Sequence, residues 1–255
     1  MLNKRIIPVL LLQNNGFYKT VKFRKPIYIG DPINTIRIFN EKEVDELIIL
    51  DISAHQKSSP NFELLKQITP ESFSPMAYGG GITSLDHAKK IFSIGFEKIV
   101  LNTLIHSSPK IVESIARMFG SQALVGSIEV KRNILRQPQV YTKNGTLKIK
   151  VPLAEYVKKI TSLGVGEIFV NDIDREGTYK GYDVDLMDDV VTHSNIPVIA
   201  YGGTHSLENI CEIFSKTGVS AAAASSIFIY HGIHKAVLIN YPTFEENEKI
   251  KNGKY

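Results

Sequence analysis

One stretch of this chain occurs twice. AYGGGITSLDHAKKIFSIGFEKIVLNT, beginning at Ala77, is matched by AYGGTHSLENICEIFSKTGVSAAAASS, beginning at Ala200, with apolar run, glycines, helical pattern and second apolar run in the same order. The separation is close to half of the 255 residues. A duplicated unit of this size constrains architecture before any local reading does. Around it, eight apolar runs (5–12, 46–52, 75–81, 98–103, 123–130, 167–173, 197–203 and 220–226) alternate with segments of helical period. Several of those segments open on Ser or Pro and close on Gly, as helices do. Such alternation builds parallel βα units with right-handed crossovers. A doubly wound open sheet is the rival arrangement, but two matching four-strand halves make a closed sheet of eight. The chain is predicted to be one α/β domain, a (β/α)8 TIM barrel with half-barrels at about 1–120 and 121–245. The charged segment 244–255 is expected to fray.

Composition narrows the class of function. The chain is 43% hydrophobic and 22% charged, with formal charge +4 and its cations scattered among acids. Nucleic-acid binding would need a concentrated basic stripe or a reading motif, and neither is evident. No apolar run is long enough to span a bilayer. The first strand lacks the cleavage site of a signal peptide. Cys211 is the only cysteine, which excludes an internal disulfide and reads as a packed thiol on a helix. Together these features predict a cytoplasmic protein without metal or cofactor, acting on anionic small molecules.

The repeat also carries a binding signal. Each copy ends one strand in glycines, Gly80 and Gly81 or Gly202 and Gly203, and the next strand in small polar residues, Asn102 and Thr103 or Ser225 and Ser226. Glycines let backbone N–H groups approach an anion, and a helix N-terminus beyond the strand adds donors. Two such cradles on one rim suit a small molecule with a phosphate at each end. At the other rim, Arg5, Glu46, Lys98 and Glu167 begin strands 1, 2, 4 and 6. Alternation puts Arg5, Ile7, Val9 and Leu11 on one face, and joins Lys98 to Asn102 and Glu167 to Asn171. Glu46 and Asp51 differ in parity. Two cations and two anions inside a barrel must pair, and a salt-bridge ring serving stability alone accounts for them equally well.

The chain resembles the cyclase subunit of imidazole glycerol phosphate synthase over essentially its whole length. The resemblance is carried by KRII, GDP (30–32), DELIILDI, YGGGI, LNT, FGSQALV, IEVKR, GEIFVNDIDREGT, GYD (181–183) and IPVIAYGG. It implies a barrel that pairs with a glutaminase, receives ammonia at its bottom and closes an imidazole ring at its top. Arg5, Glu46, Lys98 and Glu167 match the charged gate that admits ammonia, and Glu97 falls where that family contacts the glutaminase. Lys19, Asp51 and Thr178 also fit the pattern. The acid/base carboxylates depart from it. The family's aspartate at the end of strand 1 is Leu11 here, that of strand 5 is Glu129, and a third is Glu176. Leucine moves no proton, and a carboxyl displaced by one methylene disturbs catalytic geometry.

An intact inlet with a lost acid resembles the branch of cyclase-like proteins that serve acetamidino modification of bacterial surface sugars. That resemblance implies an ammonia-conducting subunit supplying a sugar amidotransferase. Two alternatives stand beside it: a histidine-pathway cyclase relying on Glu129, and a catalytically silent phosphosugar-binding scaffold.

Overall fold

The computed structural model describes residues 3–54 and 58–255. Eight parallel strands close on themselves: β1 (Arg5–Gln13), β2 (Leu47–Asp51), β3 (Met76–Gly79), β4 (Lys98–Leu101), β5 (Leu124–Arg132), β6 (Glu167–Asp172), β7 (Val198–Tyr201) and β8 (Ala221–Ala224). Each pairs with its neighbour in sequence order, β5 pairs with β6, and β8 returns to β1. All eight coincide with the predicted runs, β1 and β5 extending slightly beyond them. Helices α1 (Pro32–Glu41), α2 (Phe62–Ile68), α3 (Leu85–Ile94), α4 (Pro109–Phe119), α5 (Leu153–Ser162), α6 (Val184–His193), α7 (Leu207–Lys216) and α8 (Phe244–Lys251) belong to the layer outside the strands. None of the described helices is long and apolar enough to cross a membrane.

Alternation along each strand divides the apolar residues between two cores. Ile6, Leu10 and Leu12 face the helices, while Ile7, Val9 and Leu11 face inward beside Ile48, Val125 and Phe169. The run Ala221–Ala224 is a fully buried strand in spite of alanine's helical preference, since both of its faces are covered. Helix starts follow their caps: the side chain of Asp31 accepts from the amide of Asn34 with Pro32 next in line, and Ser84 accepts from His87. Cys211 is buried on α7 with a free thiol.

Two expectations need correction. The segment after Thr243 does not fray. Thr243 and Glu246 form a reciprocal capping box, Ile250 is fully buried, and Lys251 pairs with Asp45 at 2.8 Å. The duplicated stretch, moreover, is one residue out of register where its letters match best. Gly79 pairs with Leu50, whereas Tyr201 pairs with Asn171, so Gly79 and Tyr201 are the equivalent positions. Tyr78 faces the helices and Tyr201 the barrel interior. The register recovers because the turn from Lys216 to Ala221 is one residue longer than that from Ile94 to Lys98.

Candidate functional site

Loops at the carboxyl ends of the strands enclose a cavity of about 360 Å³. Its walls include Gly80, Gly81, Asn102 and Thr103, so the first cradle opens into it, together with Leu11, Asp51, Glu129, Asn171 and Glu176. Gly202, Gly203, Ser225 and Ser226 line a second hollow of only about 10 Å³, closed over by Lys19 and Glu176. The cradles are built alike. Gly80 (φ 125°) and Gly202 (φ 120°) pass over the backbone carbonyls of Asp51 and Asp172, where any side chain would collide. Asn102 (φ −123°, ψ −80°) and Ser225 (φ −125°, ψ −65°) turn the chain into short helices whose starts have no side-chain cap. Those leading amides are left to other acceptors. In the first cradle Asn102 is steadied by donating to the carbonyl of Ser127 at 3.0 Å and accepting from Thr142 at 2.6 Å.

The acid/base positions divide sharply. Leu11 is buried at the top of β1 and presents only carbon to the cavity. Glu129 is buried in the opposite wall, where one carboxylate oxygen accepts from the amide of Gly145 at 2.6 Å. Desolvation raises its pKa to about 7, against that amide and the nearby charge of Lys131. A carboxyl with that pKa is poised to exchange a proton near neutrality. Lys19 and Glu176 are spent on each other in a buried ion pair; Thr20 and the amide of Phe23 also donate to Glu176, at 3.2 Å each. Burial lowers the pKa of Lys19 although Glu176 opposes the change. Since Lys19 belongs to the strand Gly16–Val21, this pair ties the hairpin 16–30 down over the second cradle.

Other expected residues are placed less directly. Asp51 borders the cavity, but one of its oxygens accepts from Ser53 and Ala54 and the other from Tyr78, so it shapes the loop after β2. Asn171 lines the cavity, and its side-chain oxygen has no hydrogen-bond partner among the described residues. Thr178 lies outside the walls of both hollows and donates to the carbonyl of Arg175 at 2.7 Å. Tyr201, which the repeat conceals, borders both hollows and stacks on Phe169 with ring centroids 5.2 Å apart. Alternation counted inward along β7 from Ile199 is the signal that finds it.

At the opposite rim the four charges meet. Arg5 donates to Glu46 at 2.5 Å and to Glu167; Lys98 donates to Glu46 at 3.0 Å and to Glu167 at 2.9 Å. Two cations and two anions alternate in a closed circuit across the barrel's base. Burial opposes the charge on Arg5, but Glu167 and Glu46 outweigh it and its pKa is raised. Burial likewise opposes ionisation of Glu167, and Arg5 and Lys98 reverse that and lower its pKa. Glu46 shares the inward face of Ile48, which resolves its parity difference from Asp51. Glu97 is exposed beside this rim and accepts from the amide of Met76 at 2.7 Å.

A closed barrel made of two half-barrels, with a glycine cradle in each half at one rim and a charge circuit at the other, is a duplicated (β/α)8 protein. The chain belongs to the histidine biosynthesis protein family, whose model matches residues 5–235, and within it to the imidazole glycerol phosphate synthase cyclase subunits. It is 48% identical over 243 residues to a Pseudomonas aeruginosa protein with the provisional name imidazole glycerol phosphate synthase subunit hisF2, covering 95% of this chain and 97% of that one. A Vibrio vulnificus protein provisionally named imidazole glycerol phosphate synthase subunit hisF3 is 40% identical over 251 residues (98% and 96% covered). The imidazole glycerol phosphate synthase subunit HisF of Hydrogenobaculum is 36% identical over 242 residues (94% and 96% covered).

Proposed function

We propose that this barrel is the ammonia-conducting subunit of a glutamine-dependent assembly that amidinates a bacterial surface sugar. A glutaminase docks on the bottom rim near Glu97 and releases ammonia at the circuit of Arg5, Glu46, Lys98 and Glu167. Ammonia crosses the interior, whose lining of Ile7, Val9, Ile48 and Val125 admits a neutral molecule and penalises ammonium. At the top it passes to a sugar amidotransferase that uses a nucleoside triphosphate to activate the amide oxygen of an N-acetyl group; the ammonia nitrogen attacks that carbon and the oxygen leaves on phosphate, giving an acetamidino group. The first cradle holds the phosphate of a small molecule in the upper cavity. The observation that carries this reading is a complete charge circuit at the base beneath a cavity with Leu11 in one wall. An inlet without a full acid/base pair suits delivery of ammonia better than ring closure.

The test mixes the barrel, the glutaminase and the sugar amidotransferase with an N-acetylated sugar substrate, ATP, and glutamine carrying heavy nitrogen in its side-chain amide. Heavy nitrogen is expected in the acetamidino product, and its entry is expected to require the barrel. A second reading, the histidine-pathway cyclase itself, is favoured by Glu129, whose raised pKa suits proton transfer near pH 7. It predicts robust formation of imidazole glycerol phosphate from free ammonia and the nucleotide substrate. That result would displace sugar amidination as the function of the barrel.

A further inference from the structure

Three β-ribbons rise from the cavity rim: 16–30 beyond β1, 131–148 beyond β5 and 230–238 beyond β8. Together they hold ten of the chain's thirty lysines and arginines and none of its twenty-six acids. Lys22, Arg24 and Lys25 are exposed on the first, Arg136, Lys143 and Lys148 on the second, and Lys235 on the third. Acids of this end, such as Asp86, Asp185 and Glu208, stand instead in the first turns of the outer helices, where the helix dipole favours them. Between the cations, large apolar side chains face solvent. Ile27 and Tyr28 protrude from the first ribbon, Ile134 and Leu135 from the second, and Ile233 and Leu238 from the third, with Ile134 and Ile233 above 90% exposure. Phe23 and Pro26 of the first ribbon and Asn144 of the second also line the cavity, so these two ribbons flank its mouth, and the third follows the short helix that starts at the second hollow.

We infer that the ribbon tips form the docking surface for the ammonia-consuming amidotransferase, which meets them with an apolar centre rimmed by aspartates and glutamates. The inference rests on the proposed handover of ammonia to that enzyme. Exposed apolar side chains interspersed with cations of one sign are what a specific, electrostatically steered partner needs. Seating that partner over the mouth keeps ammonia out of bulk water, where it would be protonated and diluted. A standard interface uses about 20–30 residues a side, which three ribbons supply. A lipid surface fits less well. Peripheral membrane binding places one amphipathic helix in the interface plane, often with Trp, whereas here the apolar residues are divided among three ribbons and the chain has no Trp.

The experiment measures binding of the purified sugar amidotransferase to the barrel–glutaminase complex at low and high salt. It compares wild type, the charge-reversal variant R24E/K25E/R136E/K143E, and the apolar variant I134S/L135S. All six positions are exposed, so folding and glutaminase binding are expected to be retained. Charge reversal is expected to weaken binding at least tenfold, in parallel with loss of affinity at high salt in the wild type, and the apolar variant to weaken it at both salts. Unchanged affinity in both variants would overturn the surface. So would binding of wild type to phosphatidylglycerol-containing vesicles with no effect of the substitutions on the amidotransferase. Absence of any complex with wild type also overturns it; glutamine-fed product in the three-protein mixture then decides whether the handover survives separately.

Discussion

Glu129 shows how far a barrel wall moves a carboxyl from its solution behaviour. Its pKa rises from 4.5 to about 7 because burial disfavours the anion more than Gly145 and Lys131 favour it. The folded chain therefore binds this proton more tightly than the unfolded chain. The stability that the protonated form contributes is complete below the unfolded value and is lost as pH rises through about 7. Asp172, raised to about 6 by burial and the neighbouring Asp183, acts in the same sense. Glu129→Gln keeps an acceptor for the Gly145 amide and carries no charge. It is expected to exceed wild type in stability by up to about 3 kcal/mol at pH 8 and to differ little at pH 4. Urea unfolding at the two pH values checks this, and an equal difference at both would assign the effect to packing. Residues of this kind are legible in the sequence to different depths. Strand parity places Arg5 and Leu11 correctly inside, because period-two alternation is a property of the backbone. It does not reveal that Lys19 and Glu176 neutralise each other, since their partnership joins loops beyond β1 and β6 that no local pattern connects.

Elements are most legible where one face or both faces are apolar. The barrel strands and the helices of the repeat fall where periodicity puts them, while polar ribbons and the charged tail do not announce themselves by hydrophobicity. Their signals are chemical. Asn144 and Gly145, both with positive φ, form the turn of the ribbon beyond β5, and Asn-Gly is a strong hairpin indicator. Thr243 and Glu246 have the spacing of a capping box before a helix too polar to show a clear apolar stripe. That helix matters to the seam of the barrel. Lys251 and Asn247 hold Asp45, which in turn accepts from the amide of Ile6, and Tyr241 donates to the carbonyl of Ile6. Thr243→Ala removes the cap and is expected to cost about 1 kcal/mol in urea unfolding. Near-zero cost would mean that α8 is held by Ile250 and Lys251 alone. The one-residue register shift in the repeat belongs to this scale too. Matching letters favour AYGG over AYGG, whereas the fold aligns positions by their neighbours in the sheet and absorbs the extra residue in a turn.

At the scale of the whole molecule, duplication supplies two glycine-lined turns, but the two halves differ in the space they leave there. The first cradle opens into a cavity of about 360 Å³, while the second is reduced to about 10 Å³ beneath the Lys19–Glu176 pair. The opposite rim is organised by the four-charge circuit, which spans strands of both halves. Such a circuit either only holds the base together or also meters what passes through it, and substitution separates the two. Arg5→Ala leaves Glu46 and Glu167 sharing Lys98 alone, and loss of one partner from a buried ion pair costs about 3–5 kcal/mol, with partial exposure of Arg5 reducing that figure. If the circuit is only structural, the damage falls on stability and on both nitrogen sources equally. If it is the inlet, delivery from the glutaminase is disturbed while ammonia added to bulk solution still reaches the consumer from outside. In the three-protein assay, Arg5→Ala is therefore expected to reduce product formed from glutamine several-fold more than product formed from added ammonium salt. Arg5→Lys, which keeps the charge but loses the two-armed contact with both glutamates, is expected to fall between the two. Equal losses with glutamine and with ammonia would assign the circuit to stability and leave the base of the barrel without a transport role.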